Sequence, residues 1–193
     1  MIPRLRVTFL FMNVEAEARR VERRPVQWVA GWETGWIRRS MPVIDEAAER
    51  TKLWWGAAGV LALCGGARGR RAALSGLASM ALAEVASNAG GKPLWQRRRP
   101  PAEWIPHDDV HDRPDSSSFP SGHTAAAFGF TGAVAAVWPA AGVVCAAPAL
   151  AVAVQRVHSG AHYPSDVAVG AGIGTAAAWA VHRLPRLLRK VIL

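Results

Sequence analysis

Three polar clusters interrupt an otherwise apolar chain of 193 residues. They are KPLWQRRRP from Lys92 to Pro100, PSGH from Pro120 to His123, and RVHSGAHYPSD from Arg156 to Asp166. Together they supply Lys92, Arg99 and Arg156 as cations, His123 and His162 as titratable imidazoles, and Asp166 as a carboxylate four residues beyond His162. That set suits a dianionic phosphate. Lysine and arginine neutralise its oxygens, and backbone amides at a helix start add fixed donors. Ser121 and Gly122 stand where such amides point inward, Ser121 as a cap after Pro120 and Gly122 permitting close approach. A histidine oriented by a carboxylate can attack phosphorus, because Asp166 holds one ring nitrogen protonated and leaves the lone pair of the other aimed at the substrate. An alcohol leaving group needs a proton. A second imidazole with an ordinary pKa of about 6.5 can donate it near neutral pH and later activate water, and His123 fits that part.

The elements that must bring these clusters together are helices. Five apolar segments run from Leu53 to Gly66, Ala72 to Gly91, Thr124 to Trp138, Ala140 to Val154 and Val167 to Val181, with no alternating strand pattern among them. An all-α bundle of about five core helices is the expected fold. Ahead of it, Trp28, Trp32 and Trp36 recur every four residues, which predicts an amphipathic interfacial helix over residues 26–40. Trp54, Trp55, Trp95 and Trp138 lie at segment ends, arginines cluster between and after segments, and Gly170 and Gly174 give a small-residue packing step. These features favour a membrane-embedded bundle. Hairpin topology then puts the three polar clusters at one end, and GARGRR and HRLPRLLRK on the other, cytoplasmic side. The expected placement is multi-pass in the cell (inner) membrane, with the polar end extracytoplasmic.

The net charge of +9 permits phosphate-bearing substrates, anionic lipid or nucleic acid. Only 3 of the 23 basic residues are lysine, so the positive surface is mostly guanidinium, which pairs well with phosphate. Residues 1–25 read as a charged tail without a secretory signal, since their short apolar patch lacks a small-residue cleavage site, and within them Val14 to Arg24 reads as a solvated helix or a disordered stretch closed by Pro25. Residues 186–193 read as a basic C-terminal tail. Cys64 and Cys145 sit in apolar runs without partners at metal-ligand spacing, and two buried, inert thiols are expected.

The ordered pattern K-x6-RP, PSGH and R-x5-H-x3-D resembles the type 2 phosphatidic acid phosphatase superfamily, which shares its site with bacterial acid phosphatases and vanadium haloperoxidases. The resemblance extends over about residues 53–181, within a bundle domain of residues 41–185. It implies that Lys92, Arg99 and Arg156 bind phosphate, that His162 is the nucleophile assisted by Asp166, that His123 is the acid, and that neither a metal nor another cofactor is required. It further implies a lipid phosphate substrate of phosphatidate or polyprenyl type and a bilayer as partners, with no nucleic acid. Two departures stand out: Gln155 precedes Arg156 where the family usually has serine, and the tryptophan-rich helix replaces the first of the six spans common in membrane members. The alternatives are vanadate-dependent halide oxidation in the same kind of pocket, and a non-catalytic protein that binds anionic lipid through its arginines.

Other polar residues carry plainer expectations. Arg97 and Arg98 read as solvated basic surface, with a second substrate phosphate as the functional alternative. His107, Asp108, Asp109, His111, Asp112 and Asp115 read as a mobile lid rather than a metal site. His158 reads as a neighbour of the site, and Glu84 as facing the bundle interior with a structural partner.

Overall fold

The computed structural model describes residues 17, 19–107, 113 and 116–192, with side chains up to residue 183. Its elements are α1 (residues 19–30), α2 (Gly35–Ala48), α3 (Lys52–Cys64), α4 (Gly66–Val85), a π-helical turn (Ala86–Gly91), the short α5 (Lys92–Leu94), α6 (Gly122–Val137), α7 (Pro139–His158) and α8 (Pro164–Ile192). The five apolar segments thus become α3, α4 with its π-turn, α6, α7 and α8. No strand occurs among the described residues.

Helix α6 is the hub, packed against α4, α7 and α8, while α3 lies along α4. Small residues allow this. A Cβ at Gly170 would sit 2.5 Å from the Ser121 carbonyl oxygen, and one at Gly174 would sit 2.4 Å from that of Ala125. The glycine step of α8 is therefore a seam against α6, as expected from the sequence. Gly76 and Gly129 likewise let α4 and α6 approach, where Phe130 and Ser79 fill the space. The largest buried cluster forms around Trp54, Met80, Phe130, Val134 and Val152, with Trp54 and Phe130 ring centroids 5.3 Å apart.

Several expectations are corrected here. The tryptophan helix is broken: residues 31–34 are irregular, so Trp28 lies on α1 and Trp36 on α2, both well exposed. Gly31 and the polar pair Glu33 and Thr34 supply the breaking residues. Residues 19–25 are helical and mostly exposed, while Val26 and Ala30, which follow them on α1, bury against Ile105, Val157 and Tyr163. The C-terminal stretch likewise continues α8 to Ile192. Trp54 belongs to the core and only Trp55 is exposed. Cys64 is exposed at the end of α3, and Cys145 alone is buried. The stretch 1–16 and the loop residues Asp108, Asp109, His111, Asp112 and Asp115 lie, with the expectations made for them, outside the described residues.

The chain directions decide where the polar clusters go. Helix α4 runs antiparallel to α6, so its C-terminus meets the start of α6, and α8 starts beside that point because the Ser121 amide donates to the Asp166 carbonyl at 3.1 Å. Helix α7 returns to the same end. At the far end Arg68 donates to the Val137 carbonyl at 3.1 Å and lies over the Trp138 ring. Helix α7, Pro139–His158, is the one helix among the described residues long and apolar enough to cross a membrane.

Candidate active site

At the end where α4 and α7 finish and α6 and α8 begin, a cavity of about 230 Å³ is lined by Lys92, Arg99, Gly122, His123, Arg156 and His162. Stretches far apart in sequence thus converge, as the three clusters require. The π-turn at Ala86–Gly91 delivers Lys92; π-helical turns often mark functional positions because the extra residue re-aims the chain beyond it. Gly91 allows this turn to pass tightly over Pro120, to whose ring a Cβ there would come within 2.6 Å.

Ser121 caps α6, accepting from the Thr124 amide at 3.4 Å, and its hydroxyl is 2.9 Å from that of Thr124. It is fully buried and does not line the cavity, so its place is beneath the helix start, while Gly122 faces the opening. Arg99 donates to the Ala161 carbonyl at 2.6 Å and so ties its segment to the loop that carries His162. Arg113 holds the same loop from another side, donating to the carbonyls of Pro100 and Gly160 at 2.8 and 2.7 Å. Gly160 adopts φ of 64°, a conformation that favours glycine.

His162 is buried, and its Nδ1 lies 2.5 Å from the Ser118 carbonyl oxygen. A carbonyl only accepts, so Nδ1 carries the proton and Nε2 keeps its lone pair. Burial, with Arg99 and Arg156 nearby, holds the His162 pKa well below the usual imidazole value, so the ring is neutral near pH 7. Burial and the neighbouring Arg99 also press the Lys92 ammonium below its ordinary value.

Asp166 departs from the expected geometry. Its Oδ2 stands 4.0 Å from His162 Nδ1 and instead accepts from the Tyr163 amide at 2.9 Å, while Oδ1 accepts from Arg97 at 2.5 Å. The guanidinium and the amide draw the carboxylate back, and the Ser118 carbonyl takes the ring proton. Arg97 is accordingly no surface residue: it is 4% exposed, pairs with both Asp166 and Glu22, and lies 4.0 Å over the Tyr163 ring. With both carboxylates engaged, it is not disposed to meet a second substrate phosphate. Burial opposes its charge, but Asp166 and Glu22 outweigh that and hold its pKa above the usual guanidinium value.

Arg156 is held by two partners, donating from Nε to the Gln155 side-chain oxygen at 2.5 Å and from Nη2 to Asp45. Gln155 therefore acts as an acceptor that aims its neighbour. Four further cavity residues were not anticipated in any role: Arg50, Thr51, Asn88 and Ser116. Arg50 and Thr51 join α2 to α3 with φ of 48° and 58°, left-handed values that are strained for residues with side chains. No sequence pattern signals such a kink in ERTK. Glu84 faces the same cavity, with Asn88 and Lys92 following at intervals of four residues. His158 lies elsewhere, stacked on His107 with centroids 4.4 Å apart beside a second cavity of about 290 Å³.

The arrangement offers a neutral imidazole nitrogen, a second imidazole in the same cavity, and several cations around one opening, on a helical scaffold. The profile of the PAP2 superfamily matches residues 72–190, which takes in all three clusters. The chain belongs to the PAP2 superfamily. Two solved PAP2-like folds superpose on it. The structure of Aquifex aeolicus LpxE aligns with a TM-score of 0.60 at 16% identity, covering 83% of this chain and 94% of that one. The first transmembrane PAP2-type phosphatidylglycerolphosphate phosphatase from Bacillus subtilis aligns with a TM-score of 0.62 at 20% identity, covering 92% of this chain and 94% of that one. Comparison with curated protein sequences gives no match.

Proposed function

We propose that this PAP2 chain is a membrane-embedded phosphatase that removes a terminal phosphate from a lipid phosphate by way of a phosphohistidine. The observation that carries the reading is the convergence of Lys92, Arg99, Arg156, His123 and His162 on one cavity. In the proposed cycle the phosphate oxygens meet Lys92, Arg99, Arg156 and the amides at the start of α6. His162 Nε2 attacks phosphorus, the P–O bond to the lipid alcohol breaks, and His123 gives its proton to the departing oxygen. Water then attacks phosphorus while His123 takes its proton, the P–N bond breaks with its electron pair returning to His162 Nε2, and inorganic phosphate and free His162 remain. Asp166, tied to Arg97, balances the charge that His162 acquires as phosphohistidine.

The two similar structures support a lipid substrate, one being by name a phosphatidylglycerolphosphate phosphatase. Exposed Trp28, Trp36, Trp55 and Trp179 and the apolar α7 support a bilayer setting. The cavity lies at the end of the bundle opposite the arginines that open α4, so the proposed site is extracytoplasmic. The test is phosphate release from a panel of lipid phosphates in detergent micelles with EDTA present, comparing the parent with His162→Ala and His123→Ala. Activity that persists in the parent and vanishes in His162→Ala is the expected result; loss of parental activity in EDTA would overturn the metal-free cycle.

A further inference from the structure

We propose that helix α1 is a working part of the active site, with Glu22 as a positioning residue that acts through Arg97 to set the placement and charge of Asp166 behind His162. The proposal rests on the reading of His162 and Asp166 given above and adds a residue from outside the three polar clusters. Glu22 is 12% exposed on its side chain and accepts from two groups at once: the Arg97 guanidinium and the Ser165 amide, the latter at 2.8 Å. Arg97 in turn donates to the Ser165 hydroxyl at 2.7 Å and to Asp166 at 2.5 Å. One carboxylate on α1 thereby fixes the first turn of α8, where Asp166 sits.

The same arginine also reaches the other support of His162. Its backbone carbonyl accepts from the Ser118 amide at 2.9 Å, and its backbone amide donates to the Ser117 hydroxyl at 3.1 Å. Ser118 supplies the carbonyl that receives the His162 Nδ1 proton. Arg97 thus holds with its main chain the segment whose carbonyl meets His162 Nδ1, and with its side chain the carboxylate that stands 4.0 Å from the same nitrogen. Glu22 anchors Arg97 in that double role.

Charge alternates along Glu22, Arg97 and Asp166. With Glu22 present, Arg97 is shared between two carboxylates, and Asp166 keeps part of its negative charge for the imidazole; without it, the full guanidinium charge falls on Asp166. The other charged or titratable groups facing His162 are Arg99, Arg156 of α7 and His123 of α6. Around Arg97 and Tyr163 the further cations are Arg19, also on α1, and Arg113. Loss of a negative charge from this set disfavours the protonated imidazole and the phosphohistidine alike. Packing of Val26 and Ala30 against Val157 and Tyr163 keeps α1 seated independently of Glu22.

The experiment measures kcat and the pH dependence of kcat/KM with phosphatidate in detergent micelles, for the parent, Glu22→Gln, Glu22→Asp and His162→Ala, alongside thermal unfolding. Glu22→Gln keeps the shape and an acceptor oxygen but removes the charge. The expected result is a kcat lower by about tenfold, as for other residues that orient a reactive histidine, with the acid limb of kcat/KM moved to lower pH. Glu22→Asp, which keeps the charge, should keep the parental acid limb even where its shorter side chain lowers kcat. A Glu22→Gln enzyme with the parental kcat and acid limb overturns the proposal. So does a loss of rate at the parental acid limb together with a lower unfolding temperature, since that pattern marks Glu22 as packing alone. Phosphate release that survives in His162→Ala overturns the reading of the site itself; an inactive His162→Ala beside a parental Glu22→Gln overturns only the role of α1.

Discussion

Arg97 and Arg99 stand two residues apart on one extended stretch and serve opposite sides of His162. Arg99 faces the cavity, binds the Ala161 carbonyl and is one of the cations gathered around the opening. Arg97 is closed off behind, between Asp166 and Glu22. The front of the site turns its cations toward the opening, and the rear closes its cation between carboxylates. The difference teaches that basic residues in one run are not equivalent: those that line the cavity mark the ligand, and those sealed between carboxylates maintain the geometry.

Removing the proposed nucleophile should give the largest break between front and rear. His162→Ala should lower phosphate release by at least about 10³-fold, and leave the fold intact as judged by unfolding temperature, because loss of a nucleophile removes the covalent route while binding remains. Arg97→Ala should do the reverse in kind. It strands Asp166 and Glu22 as buried carboxylates, and removing one partner of a buried ion pair costs about 3–5 kcal/mol. The unfolding temperature in detergent should therefore drop sharply, and Arg97→Lys should recover only part, since an ammonium cannot bridge two carboxylates as a guanidinium fork does.

The front was legible in the sequence because its residue types are chemically uncommon in apolar surroundings and recur at fixed spacing: Lys92 with Arg99, Ser121 to His123, Arg156 with His162. The helices were legible from apolar runs, and Gly170 with Gly174 announced the α6–α8 seam. The rear was not legible, since Glu22 lies in a stretch of alternating charge that looks solvated, and only the fold brings it 75 residues back to Arg97. One signal was available. In an extended segment alternate residues share a side, so once Arg99 is placed inward Arg97 must follow, with Gln96 and Arg98 outward, which is the burial observed. Asp166 was placed by chemistry alone, and the competing pull of Arg97 on its carboxylate depends on a contact across 69 residues. The kink at Arg50 and Thr51 had no local cause to read, neither position being glycine or asparagine.

Smaller effects sharpen the same contrast away from His162. Gly174→Leu at the α6–α8 seam should destabilise by about 1–3 kcal/mol through overpacking against Ala125 and Gly129, measured by unfolding temperature, with KM unchanged in the molecules that fold. Arg50→Ala, on the front, should instead leave stability near the parent and raise KM for a lipid phosphate by about tenfold, the value of roughly 1.4 kcal/mol for one charge-assisted contact. A substitution at the seam that changed KM, or one at Arg50 that changed stability alone, would dissolve the division between binding and holding.

The finest distinction is in pH. Burial holds the His162 pKa below its unfolded value of 6.5, with Arg99 and Arg156 adding to the effect. Below that unfolded pKa the unfolded chain takes up a proton at this position that the native chain refuses, so the unfolded state gains and stability falls as pH drops. Above pH 6.5 neither state is protonated there and the contribution is fully present. The slope from one such group is at most about 1.4 kcal/mol per pH unit. It should appear as a steeper loss of unfolding temperature between pH 6.5 and 5 in the parent than in His162→Asn, whose side chain does not titrate. Equal slopes would mean that the ring accepts a proton as readily in the folded protein as in the unfolded chain, and burial could then no longer be credited with keeping the ring neutral.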